Sequence, residues 1–296
     1  MTENALSIVG VPEHFNLPWL FLVAKQSLSD QGISLEWQDV PQGTGAMIDM
    51  LNDGTADIAL LLTEGAIAGV ARGDNLRLLG GWIDTPLQWG VHVAGNSARR
   101  EPHDLIGGRF AISRFGSGSH LMAGIYADQP HWAGMPPEFV VVDTLDGARK
   151  ALANNNAEIF LWERYTTKPY VDNGEFRRVD ILPTPWPCFV ACARADLGEE
   201  RQRIAFTVLQ AACDCAAALL QTDDVALEFS QRYALSIDDV RDWLQVTRWS
   251  TDGGLPADLP WSVGTALLNV KMIDALPVPE RVFAQHARLI NDGDTS

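Results

Sequence analysis

The chain has 296 residues, of which 47% are hydrophobic and 20% charged, a composition typical of a globular protein with one large α/β domain or two lobes. Its formal net charge of −16 argues against binding to nucleic acid or to an anionic membrane, because phosphate contacts need a basic surface. A small anionic ligand is not excluded, since local donors can outweigh a distant net charge.

Strands and helices alternate through the first third of the sequence. Hydrophobic patterning predicts strands at 6–11, 33–40, 56–62, 76–82 and 90–94, and helices beginning at Pro18, after Gly43 and at Ala66. The strand at 56–62 is apolar almost throughout, which is typical of a central parallel strand. This alternation predicts an α/β fold.

A strand, a small-residue loop and a helix follow one another from Arg109 to Ala127. The loop Ser113–Ser119 contains two glycines, three serines and Arg114, and the helix is predicted from His120. Free N–H groups and the helix dipole favour a carboxylate, sulfonate or phosphate there, with Ser117 or Ser119 as the cap and with Gly116 and Gly118 allowing close approach. The alternative is an ordinary strand-to-helix turn. Neither a P-loop nor a dinucleotide G-x-G-x-x-G motif is present.

The rest of the chain continues the α/β pattern and then becomes helical. Strands are predicted at 138–142, 158–162 and 176–182, with a helix at 145–153. From Leu197 the pattern predicts helices to the end, at 204–220, 225–233, 237–246 and 262–276.

Two further features bear on location and cofactors. The N-terminus lacks a basic signal-peptide region, and no run approaches the roughly 20 apolar residues that span a bilayer. Cys188, Cys192, Cys213 and Cys215 form no C-x-x-C pair and have no histidine cluster beside them. We therefore expect buried free thiols, a cytoplasmic location, no membrane partner, no metal and no cofactor.

Four motifs resemble those of a known fold family. They are L-N-D-G-T-A-D-I-A-L at 51–60, S-R-F-G-S-G-S-H at 113–120, I-F-L-W-E-R-Y-T-T-K-P-Y at 159–170 and T-P-W-P-C at 184–188. The sequence resembles the type II periplasmic binding protein family, in particular the nitrate, sulfonate and taurine binding proteins and the relatives of the thiamine pyrimidine synthase. The last two motifs are similar to those of a leaderless, stand-alone subgroup.

The resemblance implies a two-lobed α/β fold with a hinge of two crossing strands. Lobe one would contain residues 1–92 and 190–296, and lobe two residues 93–189. The hinge strands would be 90–94 and 188–193, with a small molecule bound in the cleft between the lobes and enclosed by hinge closure.

Candidate binding residues follow the carboxyl ends of predicted strands, where open α/β sheets bind ligands. They are Glu13, His14, Phe15, Asn16, Thr63, Glu64, Arg114, Gly116, Ser117, Gly118, Ser119, His120, Trp162, Glu163 and Trp186. The aromatic residues could form walls, Glu64 and Glu163 could accept from an amine or amide, and Arg114 could hold a carboxylate. Each has an alternative: the tryptophans as core, the histidines as turn or helix caps, and Glu163 paired with Arg164 or Lys168.

Two classes of function fit these residues. One is a non-catalytic protein, homologous to transporter substrate-binding proteins, that binds an anionic or zwitterionic metabolite. Heteroaromatic molecules are included in this class. The other is an enzyme on the same fold, either a lyase or a pyrimidine synthase relative. The synthases carry a cofactor lysine and a cysteine-dense iron motif, and this chain has no cysteine-dense run. A lyase using Glu64, Glu163 or His14 stays open, and the sequence leaves the oligomeric state undefined.

Overall fold

A computed structural model describes residues 5–132 and 134–291 of the chain. Contacts divide the chain into two compact units. The first contains the segments up to Thr85, Trp186–Thr265 and the segment from Ile273 onward. The second contains Pro86–Pro185 and Ala266–Met272. The chain therefore passes between the units at 85/86, 185/186, 265/266 and 272/273.

Twelve strands and ten α-helices are formed by the described residues. The strands are β1 (Ala5–Gly10), β2 (Ser34–Asp39), β3 (Ile58–Leu62), β4 (Leu76–Ile83), β5 (Gln88–Ala94), β6 (Arg109–Ile112), β7 (Glu138–Val141), β8 (Ile159–Glu163), β9 (Phe176–Pro183), β10 (Phe189–Arg194), β11 (Leu255–Pro256) and β12 (Leu289–Ile290). The helices are α1 (Leu17–Lys25), α2 (Thr44–Asp53), α3 (Thr63–Arg72), α4 (Gly118–Ala127), α5 (Leu145–Ala153), α6 (Lys168–Asp172), α7 (Glu199–Leu220), α8 (Val225–Tyr233), α9 (Ile237–Val246) and α10 (Leu259–Asn269).

The first unit is built on a five-stranded sheet in the order β2-β1-β3-β10-β4. β3 is fully apolar, as the sequence predicts, but its two neighbours run in different directions. It pairs parallel to β1 and antiparallel to β10, so the expectation of an all-parallel central strand is wrong for one of its edges. The antiparallel partner comes from more than a hundred residues later in the chain, which no local pattern could indicate.

The second unit is built on a five-stranded sheet in the order β7-β6-β8-β5-β9. β6 and β8 are parallel, and β5 runs antiparallel to both β8 and β9. Since ligands bind near the carboxyl ends of strands in open α/β sheets, the ends of β6 and β8 place the segments at 113–120 and 163–167 at one edge of this sheet. The α/β fold class with two mixed sheets is confirmed.

The two strands expected to form the hinge both lie inside a sheet. β5 is hydrogen-bonded on both sides within the second sheet, and β10 is hydrogen-bonded on both sides within the first. The chain crosses between the units just before each of these strands. Hinge closure stays a prediction.

The helical C-terminal region contains two differences from the sequence-based expectation. The helix expected at 262–276 ends at Asn269, and the short parallel strands β11 and β12 pair near the end of the described chain. α7 is the one described helix that is long and apolar enough, by length and composition, to cross a membrane. Its apolar stripe, which includes Ile204 and Val208, is buried in the first unit, and this packing accounts for its hydropathy.

Candidate functional site

The predicted site residues divide between the two units. The first unit contains Glu13, His14, Phe15, Asn16, Thr63, Glu64 and Trp186, and the second contains Arg114, Gly116, Ser117, Gly118, Ser119, His120, Trp162 and Glu163. Each group is described within its own unit. Here, the five residues His14, Asn16, Thr63, Glu64 and Trp186 are termed the buried polar set, and Ser113–Ser119 is termed the serine turn.

The start of α3 fixes Thr63 and Glu64, which the sequence analysis placed in a loop. Thr63 is fully buried; its N–H donates to Cys188 O over 3.0 Å and its hydroxyl donates to Pro187 O. The distant chain segment that contains Trp186, Pro187 and Cys188 is thereby held against the first turn of α3. The Trp186 indole N–H donates to Glu64 Oε2 over 3.0 Å.

Glu64 is a buried carboxyl group with an unused acceptor. Its side chain is almost completely buried, and its Oε1 has no hydrogen-bond partner among the described residues. Burial raises the pKa of Glu64, although the hydrogen bonds from its own backbone N–H and from the Trp186 indole oppose this shift. An N–H or ammonium group of a ligand would satisfy Oε1, and the neutral form of the carboxyl could itself donate a proton there.

The short 3₁₀ helix His14–Asn16 lies against an aromatic group of the same unit. The His14 ring centroid is 4.2 Å from that of Trp243 and 6.1 Å from that of Tyr233, and burial lowers the pKa of His14 to about 3. The imidazole is therefore neutral at physiological pH. Its Nε2 has no hydrogen-bond partner among the described residues, and aromatic rings pack against the imidazole.

Phe15 and Asn16 connect this 3₁₀ helix to the sheet. The Phe15 ring lies 5.1 Å from that of Phe189, which pairs with Leu62 directly before Thr63. Asn16 Nδ2 donates to Val11 O over 2.9 Å, whereas its Oδ1 is unpaired among the described residues. Glu13 precedes this helix and is partly buried; its backbone N–H donates to Val11 O.

In the second unit, the serine turn is held by a directed chain of hydroxyl groups. Ser117 Oγ donates to Arg114 O over 2.7 Å, and it also lies 3.0 Å from Ser119 Oγ, which must therefore donate to it. Ser119 Oγ in turn accepts from Ser113 N–H and from Ser113 Oγ. All three hydroxyl protons are thus used inside the turn, and Ser117 also caps α4 by accepting from His120 N–H.

The donors that remain in the serine turn are backbone and guanidinium groups. The first turn of α4 leaves N–H groups without intrahelical acceptors, and no acceptor contacts those of Gly118 and Ser119 among the described bonds. Arg114 is exposed and forms no ion pair with any described residue. Gly116, with φ of 79°, adopts the left-handed conformation that the turn requires.

His120 lies at the junction of the serine turn and a groove. Its Nδ1 accepts from Gly116 N–H over 3.2 Å, so the ring proton of the neutral form is on Nε2. Partial burial lowers the pKa of His120, and its ring packs at 4.7 Å from that of Phe139. Both residues line a groove of about 580 Å³ in the second unit, together with Met135, Val270 and Lys271.

The structure uses Glu163 to stabilise its own turn. Its carboxylate accepts from Tyr165 N–H, and from the N–H and hydroxyl groups of Thr166 at 2.7 and 2.8 Å. Burial raises the pKa of Glu163 against the opposing effect of these bonds. Trp162 is partly buried and stacks on Phe160 at 5.4 Å. Both side chains therefore support the end of β8.

Sequence reasoning missed His92, which ties β5 to the same turn. Its ring is fully buried, with Nδ1 3.2 Å from Phe160 O and Nε2 3.0 Å from the Thr167 hydroxyl. Burial lowers the pKa of His92 to about 4. The signal was a single histidine inside the apolar run V-H-V. Among the described residues, no group of three or more His, Cys, Asp or Glu is placed to hold a metal ion.

Comparisons with known proteins connect this architecture to a fold family. Residues 89–182 match the family described as Ca3427-like PBP. The Candida albicans CA3427 protein, reported to define a new family with the generic periplasmic binding protein fold, is 25% identical, with a TM-score of 0.84 and 99% of each chain covered. No curated protein sequence matches the chain.

Two other solved structures share the fold at lower identity. The alkanesulfonate-binding protein SsuA of Xanthomonas axonopodis pv. citri, bound to MOPS, is 17% identical with a TM-score of 0.72 and covers 96% of this chain and 99% of its own. The nitrate-binding protein NrtA of Synechocystis is 14% identical with a TM-score of 0.68 and covers 92% of this chain and 83% of its own. The resemblance to the nitrate and sulfonate binding-protein group is confirmed. The chain is a protein of the periplasmic binding protein fold, related through residues 89–182 to the Ca3427-like family.

Proposed function

We propose that this protein binds an anionic or zwitterionic small molecule without transforming it. The observation that carries the proposal is the serine turn: its hydroxyl groups are internally satisfied, while the Arg114 guanidinium and the first N–H groups of α4 are left as unpaired donors. A guanidinium beside a helix N-terminus favours a carboxylate, sulfonate or phosphate group. That relatives of the same fold are named for binding sulfonate and nitrate supports this chemistry.

Glu64 supplies a group of the opposite character in the first unit. Its unused Oε1 lies in a buried environment next to the Trp186 indole. A ligand with an ammonium or amide N–H group would satisfy this oxygen, whereas a simple inorganic anion would not. This favours a zwitterion or a heteroaromatic molecule with N–H groups over nitrate or a plain sulfonate.

The raised pKa of Glu64 also supports the alternative class of function. A buried carboxyl group with a raised pKa can act as a general acid, as a lyase would require. The enzyme therefore remains the second candidate. Turnover of the bound molecule, followed by mass spectrometry of the solution, distinguishes it from a binding protein.

A cytoplasmic location is part of the proposal. None of the four cysteines forms a disulfide bond among the described residues, and burial raises the pKa of the Cys192 and Cys213 thiols. Free thiols are typical of a reducing compartment. Fractionation of the native cells with compartment markers tests this statement, and recovery in an extracytoplasmic fraction would contradict it.

The ligand class is tested by titration of the full chain with four probes: nitrate, an alkanesulfonate, a monocarboxylate and a zwitterionic amino acid. We expect at least one organic anion to bind in calorimetry and to raise the melting temperature with concentration. The variant Arg114→Gln should weaken that binding by about 10- to 100-fold, the usual effect of a lost charged hydrogen bond. Exposed Arg100→Gln is the matched control.

The outcomes separate the two parts of the proposal. If Glu64→Gln weakens binding of the zwitterion but not of the monocarboxylate, the preference for a ligand with N–H groups is supported. Failure of all four probes, together with no small molecule retained in native mass spectrometry of protein purified from cells, would contradict the binding function. Unchanged binding by Arg114→Gln would remove the role of the serine turn.

A further inference from the structure

Two arginines of the second unit are partly buried without an acidic partner. Arg164 follows β8, Arg178 lies on β9, and neither forms an ion pair with any described residue. The other partly buried arginines of this unit are satisfied: Arg149, for example, pairs with Glu175, and Arg177 donates to Gly95 O and Ser97 O. The two unpaired guanidinium groups are therefore an exception that needs an explanation.

The sheet places both arginines along β5. Arg178 pairs with His92 on β5 and extends over Gly90, where an added Cβ would lie 3.1 Å from Arg178 Cδ. Trp162 lies opposite Gly90 on β8, and Arg164 N–H donates to Gln88 O on the same end of β5. The His92 ring and the stem of Arg178 therefore fill the space above Gly90, and Trp162 and Arg164 lie beside it at the end of β8.

The two cations repel each other. Burial lowers the pKa of Arg178, and the positive charge of Arg164 lowers it further, although Tyr165, Asp172 and Glu163 act in the opposite direction. Arg164 stacks at 4.6 Å over the ring of Tyr165, yet its buried Nε–H has no acceptor among the described residues. Arginine stays charged in proteins, so neutralisation cannot relieve this repulsion.

The nearby carboxylates are already engaged elsewhere. Glu163 accepts the bonds of its own turn, Asp172 accepts from Lys168 Nζ at 2.6 Å, and Asp180 accepts from the Tyr126 hydroxyl at 3.0 Å. None of these three carboxylates forms an ion pair with Arg164 or Arg178 among the described residues. An external oxyanion would provide the counter-charge.

We propose that Arg164 and Arg178 form a second anion-binding site, for the carboxylate, sulfonate or phosphate group of a small solute beside Trp162. Guanidinium groups match such oxyanions because their planar N–H forks bond to two oxygens at once. The site is distinct from the serine turn, because Arg178 lies on β9, three strand positions from β6. It does not depend on the proposed function, since Arg114 takes no part in it.

Thermal unfolding of the full chain tests this site with three probes: phosphate, sulfate and acetate, each from about 0.1 to 10 mM at an ionic strength held constant with sodium chloride. We expect at least one probe to raise the melting temperature saturably. In the Arg114→Gln background, where the serine turn lacks its guanidinium, Arg164→Gln and Arg178→Gln should each abolish the remaining saturable rise. Arg178→Gln without oxyanion should melt no lower than the wild type because the repulsion is gone.

Two control variants make the result decisive. Arg114→Gln should keep a saturable oxyanion-dependent rise, and Arg177→Gln should melt at a lower temperature but keep the rise, because its guanidinium bonds are structural. No saturable rise in Arg114→Gln, or a rise that persists when Arg178→Gln is added to Arg114→Gln, would overturn the second site. A rise lost entirely in Arg114→Gln would place the anion at the serine turn. A rise kept in Arg114→Gln and lost when either Arg164→Gln or Arg178→Gln is added would leave the second site standing even if the proposed function failed.

Discussion

The buried polar set of the first unit and the serine turn of the second unit differ in where their unpaired polar groups lie. In the buried polar set, three buried polar atoms have no hydrogen-bond partners among the described residues: His14 Nε2, Asn16 Oδ1 and Glu64 Oε1. In the serine turn, the hydroxyl groups satisfy one another, and the unpaired donor, Arg114, is exposed. Unpaired buried groups cost stability, whereas exposed ones are satisfied by water. Substitutions in the first set should therefore change stability, and those at Arg114 should change binding.

The largest expected effect is loss of stability in acid from two neutral buried histidines, one in each unit. The pKa values of about 3 for His14 and about 4 for His92 lie below the 6.5 of the unfolded chain. The unfolded chain therefore binds more protons below pH 6.5, and stability falls as the pH falls. Each histidine should cost about 2 kcal/mol between pH 8 and pH 5.

Three carboxyl groups contribute with the opposite sign over this range. Burial raises the pKa of Glu64, Glu163 and Asp84, so the native state holds their protons more tightly than the unfolded chain does. To isolate the histidine contribution, the free energy of unfolding is measured with urea at pH 8 and at pH 5 for the wild type, His14→Phe and His92→Phe. The change between the two pH values is then compared between the wild type and each variant. If neither variant reduces the difference between pH 8 and pH 5, the two rings are not neutral in the native state.

The second effect concerns the serine turn itself. Ser119→Ala removes the acceptor of the buried Ser113 N–H and interrupts the hydroxyl chain. We expect a loss of about 1–3 kcal/mol in the free energy of unfolding, the usual cost of an unsatisfied buried donor. Exposed Ser262→Ala is the control and should stay within about 0.5 kcal/mol. Equal effects of the two substitutions would show that the chain of hydroxyl groups does not hold the turn.

The third effect tests whether the Glu64 carboxyl group lowers the stability of the folded protein. Glu64→Gln keeps an acceptor for the Trp186 indole but removes the ionisable proton, so the variant should be more stable than the wild type by about 1 kcal/mol at pH 8. Because the native pKa is raised, wild-type stability falls as the pH rises above 4.5, and the advantage of the variant should grow with pH. Exposed Glu36→Gln should show no such trend, and a less stable Glu64→Gln would contradict the prediction.

Local patterns in the sequence predicted the elements but not their partners. The bounds of β6, α5, α8 and α9 follow from strand and helix periodicity, and Thr144 caps α5 by accepting from Gly147 N–H. The environment of His14 is formed by Trp243 and Tyr233, more than two hundred residues away, and its burial is therefore not readable from the loop around it. Glu163 looked like a free acceptor for the same reason, because its bonds to the turn depend on backbone geometry.

The smallest expected change in stability is at Arg114, and it is the sharpest test of the comparison between the two sets. Because the guanidinium is exposed and unpaired, Arg114→Gln should change the free energy of unfolding by less than about 0.5 kcal/mol in the absence of ligand. The same variant should lose most of the affinity for an organic anion, since water rather than a protein group then faces the negative charge. Urea unfolding and calorimetry on one preparation measure both quantities. A variant that loses stability and affinity together would mean that Arg114 supports the turn as well as the ligand, and the separation between a structural set and a binding turn would no longer hold.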